Sequence, residues 1–388
     1  MNSKFVYEIP TKVYFGEGQL GHLGEELSVY GKRVLLVYGG GSIKKTGLYD
    51  QIQKEIKKQG LECFELSGVE PNPRISSVKE GAKICKEKKI DVLLAVGGGS
   101  VIDCTKFIGA ATYYEGDAWD LLEQKPEIEK CIPIISILTL SATGSEMDTC
   151  GVISNPDTND KIGHRAPVMR PKVSFLDPTA TFSVNRYQTA CGSADILSHI
   201  MEDYFSMEGD LYMLDCMMEG MMKTVVKYAP AAMREPENYE ARANLMWASS
   251  WAINGFIKGA KTHAWSCHPM EHELSAFYDI THGLGLAILT PRWMEYCLNE
   301  NTVEKYYSFA VNVFGVEKDK NKMEAAKEGI NCLKTFLFET LGLSKTLSEI
   351  GIGDEKFKVM AEKAGRRTAT SFVSLTAEDI ENIYRMCL

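Results

Sequence analysis

The sequence predicts two halves of different class: an amino-terminal α/β half built on a parallel sheet, and an all-α carboxyl-terminal half. Three observations carry this. Short apolar runs alternate with helical stretches up to about residue 184, no convincing strand follows, and two early runs lead straight into triple glycines. At 388 residues the chain exceeds the roughly 250–300 residues at which single cores stop growing, so two domains are expected, 1–184 and 185–388.

"KVYF" (12–15) is a possible first strand. "RVLLVY" (33–38), "ECFEL" (62–66), "DVLLAVG" (91–97) and "PIISILTL" (133–140) read as buried strands. Between them, "LYDQIQKEIKKQG" (48–60) and "ISSVKEGAKICKEKK" (75–89) carry helical periodicity and end near glycine or a charge run. Strand–helix–strand units imply a parallel sheet with helices on both faces, whose ligands bind at the carboxyl ends of the strands. After about residue 185, "TACGSADILSHIMEDYFS" (189–206), "DLYMLDCMMEGMMKTVVKYA" (210–229) and "YEARANLMWASSWAINGFIK" (239–258) are long and helical in spacing. The Met-rich stretch 213–222 reads as core filling, because the flexible thioether fits irregular gaps.

Composition excludes several classes. Apolar residues make up 45% and charged residues 24%, an ordinary globular balance. A net charge of −9 argues against nucleic acid as a partner, since phosphate neutralisation needs clustered Lys and Arg. The run "KEKK" (86–89) alternates sign like a solvated helix face. Eleven cysteines are scattered singly from Cys63 to Cys387 with no C-x-x-C pair, and "MNSKFVYEIP" lacks a secretory leader's charged and apolar regions. Reduced thiols in the cytoplasm are expected. No apolar run reaches about 18 residues, so no membrane partner is expected.

Two glycine-rich turns compete as a dinucleotide site. "GEGQLG" (16–21) matches G-x-G-x-x-G literally, but the Rossmann pattern also wants a carboxylate about 20 residues on, where "VYGGGS" (37–42) offers none. "VGGGSVID" (96–103) is the better candidate. It follows the strand "DVLLAV" and opens a helical pattern, so backbone N–H groups and the positive helix end can meet a phosphate. The purely structural alternative is a tight turn with Ser100 capping the helix. "TLSATGSEM" (139–147) is a second small-residue loop after a strand, with hydroxyls suited to a ribose, a nicotinamide or a turn.

Three of the seven histidines lie in "HPMEHELSAFYDITHG" (268–283). "DILSH" sets Asp195 and His199 at i and i+4 on one helix face, and "HPMEH" sets His268 and His272 likewise. His282 is fourteen residues past His268, about 21 Å along an unbroken helix. One ion reaches both only if the chain turns back, and "YDITHG" (278–283) offers a break. A carboxylate and imidazoles at this spacing suit Zn²⁺ or Fe²⁺. Spacing alone nominates His268 with His272 and does not settle the ligand set. "HPMEH" also matches the peptidase pattern H-x-x-E-H, with Glu271 as base. That reading leaves the glycine loop without a role.

Together with "PTKVYFGEG" (10–18), "EPNP" (70–73), "LDP" (176–178) and "EARANLMWAS" (240–249), these motifs resemble the iron-containing alcohol dehydrogenase family, and within it the butanol dehydrogenase and broad-range aldehyde reductase type. The resemblance runs nearly end to end. It implies a dinucleotide-binding sheet and a helical domain carrying the metal, with Asp195, His199, His268 and His282 as ligands and His272 nearby but outside that set. It implies that Gly97, Gly98, Gly99 and Ser100 cradle the pyrophosphate, with Asp103, Thr139, Ser141 and Lys161 along the nicotinamide half and Asn72 near the cofactor. Gly39, followed by Gly40, Gly41 and Ser42, stands where the family often has an Asp that repels a 2′-phosphate. NADP is therefore allowed beside NAD, with Ser42 and Lys44 or Lys45 near its phosphate.

The implied reaction is metal-assisted hydride transfer between a small aldehyde and its alcohol, with Fe²⁺ or Zn²⁺ polarising the carbonyl and His272 relaying the proton. A homodimer is implied. Aromatics of "MWASSWAINGF" (246–256) are candidates for an apolar substrate pocket. A lyase resembling dehydroquinate synthase remains an alternative, though it would need a basic pocket that the metal region does not offer. A non-catalytic metal-binding protein would not need the dinucleotide loop.

Overall fold

The computed structural model describes residues 4–207 and 211–388. Residues 1–3, part of the stretch read for a leader, and Asp210, at the head of the helical stretch 210–229, lie outside the described residues. The described chain falls into two compact units. One comprises Glu8–Val184 and Pro236–Asn254; the other contains Asn185–Glu235, Gly255–Leu388 and the amino-terminal residues through Tyr7. The segment 236–254, expected in the helical half, thus groups with the sheet.

The sheet unit has eight strands: β1 (Lys12–Phe15), β2 (Arg33–Tyr38), β3 (Glu62–Leu66), β4 (Val92–Gly97), β5 (Ile134–Leu138), β6 (Cys150–Asn155), β7 (Asp160–Arg165) and β8 (Val173–Leu176). Six form one sheet in the order β1-β8-β5-β4-β2-β3, every pair parallel. Side chains alternate across a strand, so each central strand feeds two cores. Leu35, Val37, Leu93 and Ala95 pack on one face with Ile102, Phe107 and Ile108. Val34, Leu36, Val92, Leu94 and Val96 pack on the other with Leu27, Ile52 and Ile56. Burial on both faces is why these strands read as unbroken apolar runs. Because β3 lies outside β2 while β4 lies on its other side, the β2–β4 boundary is a topological switch point, where such sheets bind ligands.

The antiparallel hairpin β6–β7 and the strand β8 were not expected from the sequence. The hairpin pairs Cys150–Asn155 with Asp160–Arg165 and is too polar to show a buried run. β8 is four residues long and carries Ser174, whose hydroxyl is buried against Ser136.

The other unit is helical, with no strand among its described residues. At its centre the helix Arg186–Tyr204, capped by Asn185, is buried from Thr189 to Tyr204 without interruption. Burial all round marks a helix enclosed by its neighbours. Beyond it, Phe205 packs among Tyr306, Phe309, Trp293 and Phe372. In the Met-rich stretch, Met218 and Met222 fill the core as expected, whereas Met213 and Met217 are exposed. None of the eleven cysteines forms a disulfide. No described helix is long and apolar enough to cross a membrane.

Candidate metal centre

Three segments of the helical unit bring the acidic and imidazole groups together. The helix Arg186–Tyr204 carries Asp195 and His199, one turn apart. The helix Cys267–Tyr278 carries His268 and His272, with Pro269 in its first turn, where a missing N–H costs nothing. The expected break before His282 is present. Asp279, in left-handed conformation at φ 52°, ends that helix, and a new one starts at His282 and runs to Cys297. The break lies at Asp279–Thr281, and Gly283 is inside the new helix. A Cβ on Gly283 would meet the carbonyl oxygen of Cys191 at 2.0 Å. Glycine is what lets this helix approach the Asp195 helix and deliver His282.

The result is a cluster around Asp195 Oδ1. His199 Nδ1 and His282 Nε2 each lie 3.6 Å from it, and His268 Nε2 lies 3.8 Å away. Ligand atoms of Asp195, His268 and His282 lie within 4.8 Å of one another. His199 stacks on His268, ring centroids 4.6 Å apart. The pairing that spacing favoured, His268 with His272, gives way to His268 with His282. The His272 ring stands 5.8 Å from that of His282 and 6.5 Å from that of His268, beside the cluster.

Asp195 Oδ1, His199 Nδ1 and His268 Nε2 are buried polar atoms without a hydrogen-bond partner. Orphans of this kind are costly singly, and three converging on one point are what a bound cation satisfies. Burial alone would push the Asp195 carboxyl up, but His199, His282 and His268 outweigh it and hold it well below the usual range. Burial takes His199 down to about 4. His268 is raised to about 9 because Asp195 and Glu202 outweigh its burial. One oxygen donor and three nitrogen donors suit a borderline divalent ion such as Fe²⁺ or Zn²⁺.

Residues that sequence reasoning missed surround the cluster. Glu202, on the same helix face three residues past His199, accepts from His268 Nδ1 at 3.1 Å. Trp265 lays its ring 4.7 Å from His268 and 5.6 Å from His199, and its indole donates to Asp203 at 3.1 Å. The spacing of Asp195, His199 and Glu202 was available as a signal; the place of Trp265 was not. Glu271, the expected base of the peptidase reading, is fully buried and accepts from His282 Nδ1 and from Ser275. It is not free to activate water, and the peptidase reading falls.

The residues expected to hold the cofactor all lie in the sheet unit. Gly39–Ser42 follow β2, Gly97–Ser100 end β4 and open the helix Gly99–Ala111, and Thr139 and Ser141 follow β5. Parallel neighbours send all three loops out at one edge of the sheet, at the switch point. The helix begins after Gly98 with no side-chain cap, so Ser100 is inside it and is not the cap. A Cβ on Gly99 would lie 2.1 Å from the Thr143 hydroxyl, which is how closely the two loops pack. Thr139 N donates to Gly97 O at 3.0 Å and joins them. Asn72 is buried at φ 50°, and Lys161 is buried in β7.

Asp103, expected beside the nicotinamide, is buried beneath the loops. It accepts from Ser145 Oγ at 2.5 Å and from Val152 N at 3.0 Å. Burial raises its carboxyl to about 6 against the opposing pull of Lys106. Lys106 is itself fully buried and donates to Ser145, Asp148 and the Cys150 carbonyl. Lys44, expected near a 2′-phosphate, stands 3.8 Å from the Glu65 carboxylate and over the rings of Tyr38 and Tyr49. The set-aside motif at 16–21 has a different place: Gly16, Gly18 and Leu20 border a cavity of about 350 Å³ with Leu48, Phe175 and Phe182. Of the expected pocket aromatics, Trp247 packs on Phe15 and Trp251 within the sheet unit.

Residues 10–178 match the family described as iron-containing alcohol dehydrogenase, and residues 189–388 match its carboxyl-terminal domain. The chain is 53% identical to NADH-dependent butanol dehydrogenase A of Clostridium acetobutylicum, over 98% of each chain. It is 36% identical to the NADPH-dependent aldehyde reductase YqhD of Escherichia coli, over 93% of this chain and 92% of that one. Among solved structures, NADH-dependent butanol dehydrogenase A of Thermotoga maritima superposes with a TM-score of 0.94 at 38% identity, covering 99% of this chain and 98% of that one. These matches do not favour the lyase alternative.

Proposed function

Because the chain belongs to the iron-containing alcohol dehydrogenase family, we propose that it interconverts short-chain aldehydes, butanal among them, and primary alcohols by hydride transfer with NADPH or NADH. The observation that supports this most directly is the trio of orphaned buried atoms on Asp195, His199 and His268. A divalent ion held by Asp195, His199, His268 and His282 supplies Lewis acidity toward a substrate oxygen. We take the ion as Fe²⁺, replaceable by Zn²⁺ because Fe²⁺ stands low in the order of divalent affinities.

The chain's own residues do the rest. The backbone amides of Gly97–Ser100, at the start of a 13-residue helix, bind the cofactor pyrophosphate. Gly39, Gly40, Gly41 and Ser42 serve the adenosine end. Thr139, Ser141 and Lys161 serve the nicotinamide end and Asn72 lies near the cofactor, with Asp103 holding the loop from beneath through Ser145. His272, beside His282, donates the proton that completes the alcohol in reduction and takes it back in oxidation. We place the enzyme in the cytoplasm, where eleven free thiols persist, as a homodimer.

Anaerobic oxidation of NADPH and NADH, in parallel, by Fe²⁺-loaded protein with butanal tests the reading. Turnover lost on chelation, and absent in Asp195→Asn, is the expected result. Turnover insensitive to chelation, or none with either cofactor in metal-bearing protein, overturns it.

A further inference from the structure

Two carboxylates outside the proposed ligand set each hold the far nitrogen of one of its histidines. Glu202 Oε1 is 3.1 Å from His268 Nδ1, and Glu271 Oε2 accepts from His282 Nδ1. Both acids are buried, Glu202 at 5% and Glu271 at 0% exposure, so neither is a surface charge that happens to lie nearby. A carboxylate only accepts, so Nδ1 of each ring carries the hydrogen and the lone pair of a neutral ring is left on Nε2. Those Nε2 atoms are the ones that face Asp195 Oδ1, at 3.8 Å from His268 and 3.6 Å from His282.

We propose that Glu202 and Glu271 are positioning residues for the metal, each fixing the tautomer and ring direction of one ligand histidine. The inference rests on the metal reading given above and concerns what makes the cluster bind tightly. Hydrogen-bonded carboxylates of this kind raise the basicity of the imidazole and remove its freedom to rotate.

The surroundings show that each acid is itself held. Glu202 also accepts from the backbone N–H of His268 at 2.9 Å and of Ser266 at 2.7 Å. It therefore places negative charge on the amino-terminal end of the helix Cys267–Tyr278, where the dipole favours it. One side chain thus seats both the backbone and the ring of His268. Glu271 receives the hydroxyl of Ser275 one turn along its own helix and reaches across the break at Asp279–Thr281 to His282. It ties together the two helices whose histidines must meet. The second acidic and imidazole group of the region, Glu271 with His272 and His282, is accounted for by this contact rather than by a second ion.

A capping or bridging role without effect on the metal is the competing explanation, and glutamine separates the two. Glutamine keeps the shape and one acceptor oxygen but removes the negative charge, so the imidazole loses the added basicity whichever way the amide turns. Stripped full-length protein reloaded with Zn²⁺ is titrated against a chromophoric chelator, and the Co²⁺-loaded form gives a d–d spectrum. Glu271→Gln and Glu202→Gln are each expected to weaken Zn²⁺ binding about 10–100-fold, and to shift the Co²⁺ bands. Ser275→Ala, which leaves the Glu271 charge but frees it to move, is expected to weaken Zn²⁺ binding by less, about threefold to tenfold, and serves if a glutamine variant does not fold. Unchanged affinity and unchanged Co²⁺ bands in the folded variants overturn the proposal. Wild-type protein that does not bind Zn²⁺, or binds it as well as Asp195→Asn does, overturns the metal reading itself, which is a separate outcome.

Discussion

Gly283 lies so close to Cys191 that a methyl group has no room between them: a Cβ there would stand 2.0 Å from the Cys191 carbonyl oxygen. Cys191 is one turn before Asp195, and Gly283 is next to His282, so this backbone contact sets the distance between two of the proposed ligands. Gly283→Ala is expected to push the helices apart, at about 1–3 kcal/mol of stability, and to lower bound Zn²⁺ disproportionately. Metal analysis beside a denaturant melt checks it. Full metal occupancy in a folded variant would show that the contact does not govern the site.

Beneath the glycine loop the buried Lys106 ammonium donates to Asp148 and to Ser145, which in turn donates to Asp103. Lys106→Met leaves two buried carboxyls without it, and breaking a buried pair from one side costs about 3–5 kcal/mol. Because Ser145 and the Cys150 carbonyl are also released, the loop 139–150 should loosen and cofactor binding should weaken more than kcat falls. Fluorescence titration with NADH and a thermal melt together test this; a destabilised variant with unchanged NADH affinity would contradict the loop's role.

Glu146 gives a pH signature. Burial raises its carboxyl from 4.5 to about 7, only partly opposed by the hydroxyl of Ser250. The folded state therefore holds this proton more tightly than the unfolded chain does. Its stabilising contribution is complete below 4.5 and is lost as pH rises to about 7, a change of about 3 kcal/mol. Glu146→Gln removes that dependence. Urea unfolding of both proteins from pH 4.5 to 8 should show the stability of wild type minus variant falling with pH over this window. Parallel curves would refute the assignment.

Cofactor choice is expected to turn on Lys44. Gly39 removes a repulsive carboxylate, but Glu65 stands 3.8 Å from the Lys44 ammonium and offsets the charge that a 2′-phosphate would meet. Glu65→Gln should raise the ratio of NADPH-linked to NADH-linked kcat/KM by about fivefold, and Lys44→Met should lower it. Initial rates with both cofactors decide. No change in the ratio for either variant removes Lys44 from the binding site.

The strands β2, β4 and β5 were legible because burial on both faces writes itself as apolar runs, whereas β3, read as a buried strand, lies at the sheet edge with only Leu66 buried. The Asp195–His199 pair was legible because an i,i+4 spacing is a local fact. The break before His282 could be anticipated from the length of an unbroken helix. What escaped was decided by tertiary contacts. The hairpin β6–β7 is polar on much of its length, with Lys161 and Asp160 in the strand itself. His268 and His272 look like partners along one helix, yet the partner of His268 arrives on the next. Asp103 sits in a motif next to a glycine loop, and nothing local says that Ser145 and Val152 claim both its oxygens.

The return of residues 236–254 to the sheet unit has a consequence for synthesis. Glu146, deep in the first half, finds its hydroxyl partner on Ser250. A nascent chain that has just passed residue 184 thus holds the whole parallel sheet without the helix Tyr239–Trp251 that belongs to it. Domains ordinarily mature one after another as they leave the ribosome. Here the first unit waits until the chain has made the helix Arg186–Tyr204 and come back. Neither unit can be cut out as one uninterrupted piece. A graft of the sheet unit onto another protein has to carry its late helix along, joined by a new linker.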